Sequence, residues 1–390
     1  MGKEFNLSQD LLDRCHQRAP GYDKENRFLQ EDFDELKEAG YLLMTVPEEL
    51  GGYGMRLAEV ARVTRRLAYY APPTALACNM HHYWVGLCAD LWRAGDKSLQ
   101  WILEEAAKGE VFAAGHAESG NDLPVLLSTT KAELVDGGYR FTGRKSFGSL
   151  TPVWNFLGIH GMDTSDPDAP KIVHAFMPRD TEGMTIKETW DVMGMRATRS
   201  DDTLLENVFV PDKYIARIVP PGAAGLDHFV LGIFAWALIN FGNVYCGLAT
   251  RVRDIVVGMV QNKTSLGLTR SMAYHPNIQY GVAEMELELS AIEPQLESVA
   301  RDWSNTDEHG GEFAPRIVAA KYNAVEAAFR IVDRALDLSG GFGMFKKSEL
   351  ERLFRDCRAG RFHPANASLT HELVAKTALG IDPDEQPRWG

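Results

Sequence analysis

Residues 131–149 read KAELVDGGYRFTGRKSFGS and form the clearest local pattern in the chain. Two runs with alternating apolar residues flank Asp136-Gly137-Gly138, where glycine can adopt the positive φ that a tight hairpin turn requires. Further strand candidates follow at 154–160, 172–177 and 203–210, with no helical pattern between them. Several short strands at this spacing indicate a central antiparallel β domain.

Helical periodicity dominates the chain on both sides of this β segment. Residues from about 8 to 112 place leucine and phenylalanine at helix-like spacings, interrupted by a loop rich in glycine and proline. Beyond Pro220-Pro221-Gly222, apolar residues recur at intervals of three and four, as in a helical bundle. We therefore predict an N-terminal helical domain over 1–112, a β domain over 113–220 and a C-terminal four-helix bundle over 221–390.

The composition excludes several classes of function. The formal net charge of -13 argues against nucleic acid and anionic membrane partners, since both require a positive surface. The apolar stretch 229–245 is broken by glycines and asparagines, so it predicts a buried helix and no membrane insertion. Widely spaced cysteines and a polar N-terminus predict reduced thiols in a cytoplasmic protein. No Rossmann or P-loop motif occurs, and no His or Cys pair has metal-ligand spacing, so we predict no metal.

Four stretches resemble the acyl-CoA dehydrogenase family, in the family's order. They are VPEELGGYG at 46–54, AESGND at 117–122 with the strand pair that ends in SFGS at 146–149, GMR through VFVP at 194–211, and GGFG through RD at 340–356. The resemblance covers about residues 29–377. It implies an α–β–α fold that binds FAD between the β domain and the bundle, in a homodimer or homotetramer.

The resemblance also implies which residues contact the cofactor. Phe147 would pack against the flavin, and Ser149 would bond its N5 atom. Lys263 aligns with an arginine that holds the pyrophosphate, and Leu266 aligns with a phenylalanine near the adenine. The remaining positions are Gly340, Gly341 and Asn366 for the cofactor and Asn121 for the substrate. From the residues alone, a strand end, a helix C-cap and a solvated lysine are equally open interpretations.

The adenosine half of the cofactor site departs from the family. Two glutamines that the family uses there correspond to Pro276 and Asp337. The charge is kept at Lys263, but the bidentate geometry of arginine is lost. FAD is our main prediction for the cofactor, and FMN is the alternative.

The catalytic base departs from the family as well. A desolvated carboxylate suits removal of the α-proton of a thioester, because burial raises its pKa toward that of the C–H group. The usual glutamate corresponds to Pro364, and a second family location corresponds to Ala235 or Ala237. Neither position carries an acid.

Three interpretations remain open. The main one is FAD-dependent oxidation of an acyl-CoA at its α,β-carbons, a reaction of lipid metabolism, with a relocated base and an electron-transfer flavoprotein as partner. The candidate bases are Glu118, Asp122 and Glu372, each of which is also an ordinary turn or surface acid. The second is a base-lacking subunit that depends on a catalytic partner chain.

The third interpretation is a monooxygenase on the same fold that takes reduced flavin from a reductase. Relatives of that kind have a histidine in place of the base motif, similar to His363 in the stretch HPAN at 363–366. A histidine exchanges protons near neutral pH, although His363 is as readily a structural residue.

Overall fold

The computed structural model of the chain describes residues 5–385. Its N-terminal part is helical, as predicted. The helices are α1 (Gln9–Glu25), α2 (Gln30–Glu38), α3 (Leu57–Tyr70), α4 (Pro72–Arg93) and α5 (Gln100–Ala107). Helix α4 begins with two prolines at its first positions, where the missing N–H groups cost nothing, and it is buried over nearly its whole length.

The central part is one mostly antiparallel sheet. Its strands are β1 (Phe112–Gly115), β2 (Lys131–Val135), β3 (Gly138–Gly148), β4 (Phe156–Asp163), β5 (Lys171–Pro178), β6 (Met184–Lys187), β7 (Asp201–Pro211) and β8 (Ile215–Val219). The order is β6-β7-β3-β2-β4-β5-β8, with β1 beside β4. The predicted hairpin is confirmed: Val135 pairs with Gly138, and Gly137 has a φ of 76°.

The sheet departs from a purely antiparallel arrangement at β4. Strands β1 and β2 both pair with β4 in parallel. After β1 the chain forms the β2–β3 hairpin, and it then returns as β4, which runs beside β1 in the same direction. A hairpin signal predicts only the two strands that it joins, so this pairing was not predictable from it.

The C-terminal part is a helical bundle. Its helices are α6 (His228–Asn262), α7 (Pro276–Ser304), α8 (Phe313–Ser339), α9 (Glu349–Arg358) and α10 (Ala367–Leu379). Helix α6 is long and apolar enough to cross a membrane by composition, but 94% of its most apolar window is buried inside the protein. It is therefore packed as a core helix. The domain limits at 112 and 220 stay predictions.

Two sets of contacts bring the three parts together. Asp90 of α4 accepts hydrogen bonds from the indole nitrogens of Trp236 on α6 and Trp303 on α7, at 2.7 and 2.9 Å. Gly194, in the loop before β7, lies so close to Arg355 that a Cβ would stand 2.1 Å from its carbonyl oxygen. These contacts enclose a space between the β sheet, α4 and α6.

Candidate active site

An apolar cavity of about 530 Å³ occupies that space. It is bounded by α4, the ends of β1 and β3, the loop before β7, α6 and the segment around His363. Among residues 5–385, no aspartate or glutamate lines it. Ala237 and Pro364, two of the positions where the family would carry its base, both line it. The cavity wall therefore has no carboxylate at these two positions, where an acyl-CoA dehydrogenase would need its catalytic base.

The β-domain wall carries Phe147 and Ser149, the two residues that the resemblance would place beside the flavin ring. Phe147 has a φ of 58° and is 60% exposed, and its ring meets that of Trp190 edge-on at 5.9 Å. Ser149 is buried, and its hydroxyl lies 2.7 Å from that of Ser200. An exposed aromatic face beside a buried hydroxyl in an apolar cavity fits the ring system of a flavin.

The opposite wall carries His363. Its ring stacks on Phe241 with centroids 4.5 Å apart, and its Nε2 lies 2.7 Å from the hydroxyl of Tyr245. His363 is a lining residue of the cavity, and the hydrogen bond described for its ring is the one at Nε2. Because the Tyr245 hydroxyl can donate or accept, Nδ1 can present either a lone pair or an N–H.

Burial and the nearby Lys321 ammonium lower the pKa of His363 to about 3. The ring is therefore neutral at physiological pH. A neutral imidazole binds and orients a polar group, but it is not a protonated acid waiting in the resting site. Of the proton transfers that the sequence predicted for His363, donation of a proton from the resting ring is therefore ruled out, and acceptance of a proton or hydrogen bond is left.

Lys321 lies under the segment that carries His363. Its ammonium donates to the carbonyl oxygens of His363 at 3.3 Å and Ala365 at 3.1 Å. Ala365 has a φ of 54°, a conformation that is unfavourable for a residue with a Cβ. Burial lowers the pKa of Lys321 to about 7. Lys321 shares the apolar stripe of α8 with Ile317 and Val325, so the helical period places it inward, but no motif connects it to His363.

Glu118, the other predicted catalytic residue, does not line the cavity. It is buried in an ion pair with Lys145 and accepts from Thr130 and from the backbone N–H of Thr129. Burial alone would raise its pKa, but Lys145 and these hydrogen bonds outweigh burial and hold the pKa at about 2. Such a carboxylate is a weak base that stabilises the turn around it.

The other candidates lie outside the cavity. Asn121 bonds Glu118 and the carbonyl of Leu127, and Asn366 caps α10 by accepting from the N–H of Leu369. Asp122 is exposed, and Glu372 lines a neighbouring cavity of about 410 Å³.

The predicted adenosine contacts form a separate group at the surface. Lys263 donates to the carbonyl of Ser339 at 3.3 Å, and Leu266 is fully exposed. Gly340 caps the end of α8, and a Cβ on Gly340 or Gly341 would meet open space. None of these residues lines the 530 Å³ cavity. The structure thus brings Phe147, Ser149 and His363 together, and leaves the other predicted site residues elsewhere.

Comparisons with known proteins agree with this fold. Residues 10–110 match the model of the acyl-CoA dehydrogenase N-terminal domain, and residues 239–367 match that of the C-terminal domain. The chain is 27% identical to the putative acyl-CoA dehydrogenase YdbM of Bacillus subtilis over 94% of both chains. It is 29% identical to the amino sugar nitrososynthase DnmZ of Streptomyces peucetius, over 95% of this chain and 93% of that one.

A solved structure has the same architecture. KijD3, in complex with FMN and dTDP-3-amino-2,3,6-trideoxy-4-keto-3-methyl-D-glucose, matches with a TM-score of 0.84 and 25% identity. The match covers 97% of this chain and 93% of KijD3. An amino sugar nitrososynthase and a putative acyl-CoA dehydrogenase are therefore both among the relatives, and the residues that line the cavity have to distinguish the two activities.

Proposed function

This chain belongs to the acyl-CoA dehydrogenase family of flavoenzymes, and from that premise we propose that it is a monooxygenase that uses reduced flavin to oxygenate an amine. The observation that carries the proposal is the uncharged cavity wall. An α-proton of a thioester cannot be removed without a base at the reacting carbon. Within residues 5–385, the cavity offers no carboxylate for that task.

The same cavity suits oxygenation at nitrogen. An amine has to be neutral to attack oxygen, because the protonated form has no lone pair. Transfer into an apolar site without a carboxylate lowers the pKa of an amine, since the charged form loses its hydration. A neutral His363 beside it can accept an N–H hydrogen bond and hold the lone pair toward the flavin side.

The cofactor in this proposal is reduced FMN, supplied by a partner reductase. When bound, reduced flavin supplies the electrons that activate molecular oxygen. Phe147 and Ser149 would hold its ring, and His363 lies on the opposite wall. Two features argue against a tightly held adenosine half: Lys263 is occupied by the carbonyl of Ser339, and Leu266 offers no aromatic face.

The substrate extends, in this proposal, into the neighbouring 410 Å³ cavity. Phe234 borders both spaces, and the outer one is lined mainly by apolar side chains from the β domain, α6, α8 and α10. Asp384 and the ion pair of Glu372 with Lys376 add charge to its lining. This favours a small molecule with an amine at one end and a larger body with a polar tail.

We place the enzyme in the cytoplasm as a homodimer or homotetramer. All five cysteines are buried free thiols, which suits a reducing compartment. Phe342 and Phe345 at the end of α8 are 71% and 54% exposed, and such apolar surface is typical of an interface between subunits.

Acyl-CoA dehydrogenation is the second candidate, since the relative YdbM carries that putative assignment. One experiment separates the two. The purified chain is supplied with reduced FMN, oxygen and amine substrates, including a dTDP-linked amino sugar, and products are analysed by mass spectrometry.

We expect incorporation of an oxygen atom from molecular oxygen into the amine, and no bleaching of oxidised flavin by acyl-CoAs under anaerobic conditions. Bleaching by an acyl-CoA, with no oxygenated amine, would establish the dehydrogenase instead.

A further inference from the structure

Three buried hydroxyl groups form a hydrogen-bonded chain along the β-domain wall of the cavity. The Oγ of Ser149 lies 2.7 Å from the Oγ of Ser200, which lies 2.7 Å from the Oγ1 of Thr198. The Thr198 hydroxyl donates to the carbonyl of Met195 at 2.9 Å. All three hydroxyl residues line the cavity and are at most 7% exposed. The hydrogen-bonded chain runs from the carbonyl of Met195 to Ser149 at the cavity wall.

Backbone hydrogen bonds connect the two polypeptide segments that carry these hydroxyl groups, one around Ser149 and the other around Thr198 and Ser200. The N–H of Leu150 donates to the carbonyl of Thr198 at 3.2 Å, and the N–H of Thr151 donates to the carbonyl of Arg199 at 3.3 Å. The hydroxyl groups are therefore fixed relative to one another by the fold around them.

The carbonyl end favours one direction of donation. A carbonyl only accepts, and each hydroxyl has one proton to give. When Thr198 donates to Met195, Ser200 donates to Thr198 and Ser149 donates to Ser200. Ser149 then presents only lone pairs to the cavity. In the reverse direction Ser149 presents its proton, but the bond to Met195 is lost.

The two directions of donation differ in the number of hydrogen bonds that they make with and without a ligand. The direction that ends on Met195 has three internal bonds, and a ligand N–H that faces Ser149 adds a fourth. The reverse direction has two internal bonds, and a ligand lone pair adds a third. One net hydrogen bond corresponds to about a fivefold difference in affinity.

We propose that Thr198 and Ser200 are positioning residues that make Ser149 a hydrogen-bond acceptor, so that the site prefers reduced flavin to oxidised flavin. The N5 atom of flavin carries a proton in the reduced form and a bare lone pair in the oxidised form. The inference rests on the proposed function and on the resemblance that puts Ser149 beside N5. The preference lets the enzyme take up reduced flavin and release the oxidised form after each turnover.

The test compares Thr198→Val with Thr151→Val. Thr151 is a matched control, because its buried hydroxyl donates to the carbonyl of Gly148 at 2.6 Å and lies outside the chain. Dissociation constants of oxidised and reduced FMN are measured anaerobically for each protein, together with the midpoint potential of the bound flavin.

In the wild type and in Thr151→Val we expect reduced FMN to bind more tightly. In Thr198→Val the bond to Met195 is gone, and Ser200 can donate to Ser149. The preference should then fall about fivefold, which corresponds to a drop of about 20 mV in midpoint potential for a two-electron couple.

The outcomes separate this inference from the proposed function. An unchanged ratio of dissociation constants in folded Thr198→Val would overturn the inference, even if the wild type oxygenates amines. If Thr198→Val does not fold, Ser200→Ala provides the same comparison, since it also frees Ser149 to donate. A wild type that prefers oxidised FMN would overturn the inference directly, and one that binds neither form would overturn both.

Discussion

Lys321 is buried without a carboxylate partner within residues 5–385, since only carbonyl oxygens accept its hydrogen bonds there. The acid that acts on the pKa of Lys321 through its charge, Glu326, is itself paired with Arg361. Tyr245 and His363 are titratable groups at the same segment. Its positive charge lowers the pKa of His363, after the larger effect of burial. Lys321 therefore acts on His363 in two ways: it holds the backbone of residues 363–365 through hydrogen bonds, and its charge favours the neutral imidazole.

We predict that the stability of the wild type relative to Lys321→Met increases with pH. The pKa of Lys321 is lowered from 10.5 to about 7 by burial, so the unfolded state binds the extra proton between these values. Below pH 7 the wild type bears the full cost of a buried charge. Urea unfolding at pH 6.5 and pH 9 should show a gain of about 1–3 kcal/mol for the wild type relative to the variant. The same difference at both pH values would contradict the prediction.

His363→Gln should slow oxygenation about 100-fold while flavin binding changes little, because an imidazole that orients a reacting group contributes on this scale. Tyr245→Phe is the companion variant, since it removes the bond to Nε2 and leaves the stacking on Phe241. We expect an intermediate loss for Tyr245→Phe. Steady-state kinetics with saturating reduced FMN measures both. Turnover of His363→Gln at the wild-type rate would remove the ring from the mechanism.

The sequence identifies some residues of the site and misses others. Phe147, Ser149 and His363 were found through motifs, because each motif places its residue at a fixed position along the chain. Tyr245 and Thr198 were missed because their roles depend on contacts with residues distant in sequence or on the path of a loop. Glu118 was misjudged as a base, since the buried Lys145 that neutralises it stands 27 residues away.

At the scale of elements, Asp90 joins three helices. Its Oδ2 accepts from Trp236 and Trp303, and its Oδ1 accepts from Arg93 at 3.0 Å. Close packing accompanies this contact, because a Cβ at Gly86 would lie 2.4 Å from the ring of Trp236. This contact holds α6 against α4 beside the cavity.

Asp90→Ala should destabilise the protein by about 3 kcal/mol or more, since it leaves two buried indole N–H groups without their acceptor and removes the ion-pair partner of Arg93. Asp96→Ala serves as the control, because Asp96 makes a partly exposed ion pair with Arg217 at 3.0 Å that should contribute less than about 1 kcal/mol. Denaturant unfolding compares the two. Equal effects would show that Asp90 is not the junction of the three helices.

The elements themselves were largely predictable, for a local reason. Turn residues and alternating apolar positions are read within a few residues, so the β2–β3 hairpin and the strands at β4, β5 and β7 were found close to their true limits. Parallel pairing of β1 with β4 joins segments more than forty residues apart, and short-range patterns do not encode it.

The surface of the molecule has a group of exposed apolar side chains at the end of α8, which is a candidate interface with a partner. Phe342, Met344 and Phe345 lie there, and Lys263 stands 5.6 Å from the Phe342 ring. Exposed apolar side chains grouped in this way are typical of an interface between subunits, so we propose that association buries them. A second copy of this chain is the partner that the family resemblance implies, and the predicted adenosine contacts lie at the same surface.

We therefore predict that Phe342→Asp lowers the oligomeric state, because a charge at the centre of an apolar interface loses its hydration on association. Leu134→Asp is the matched control, since Leu134 is 61% exposed on β2 in the β domain. Light scattering coupled to size-exclusion chromatography should show a smaller species only for Phe342→Asp.

The cavity lies between parts of one chain, so that variant should keep binding reduced FMN. A loss of FMN binding together with dissociation would mean instead that the flavin extends into the neighbouring subunit, as it would with the adenosine half of FAD. A wild type that is already monomeric would show that the surface around Phe342 has some other partner.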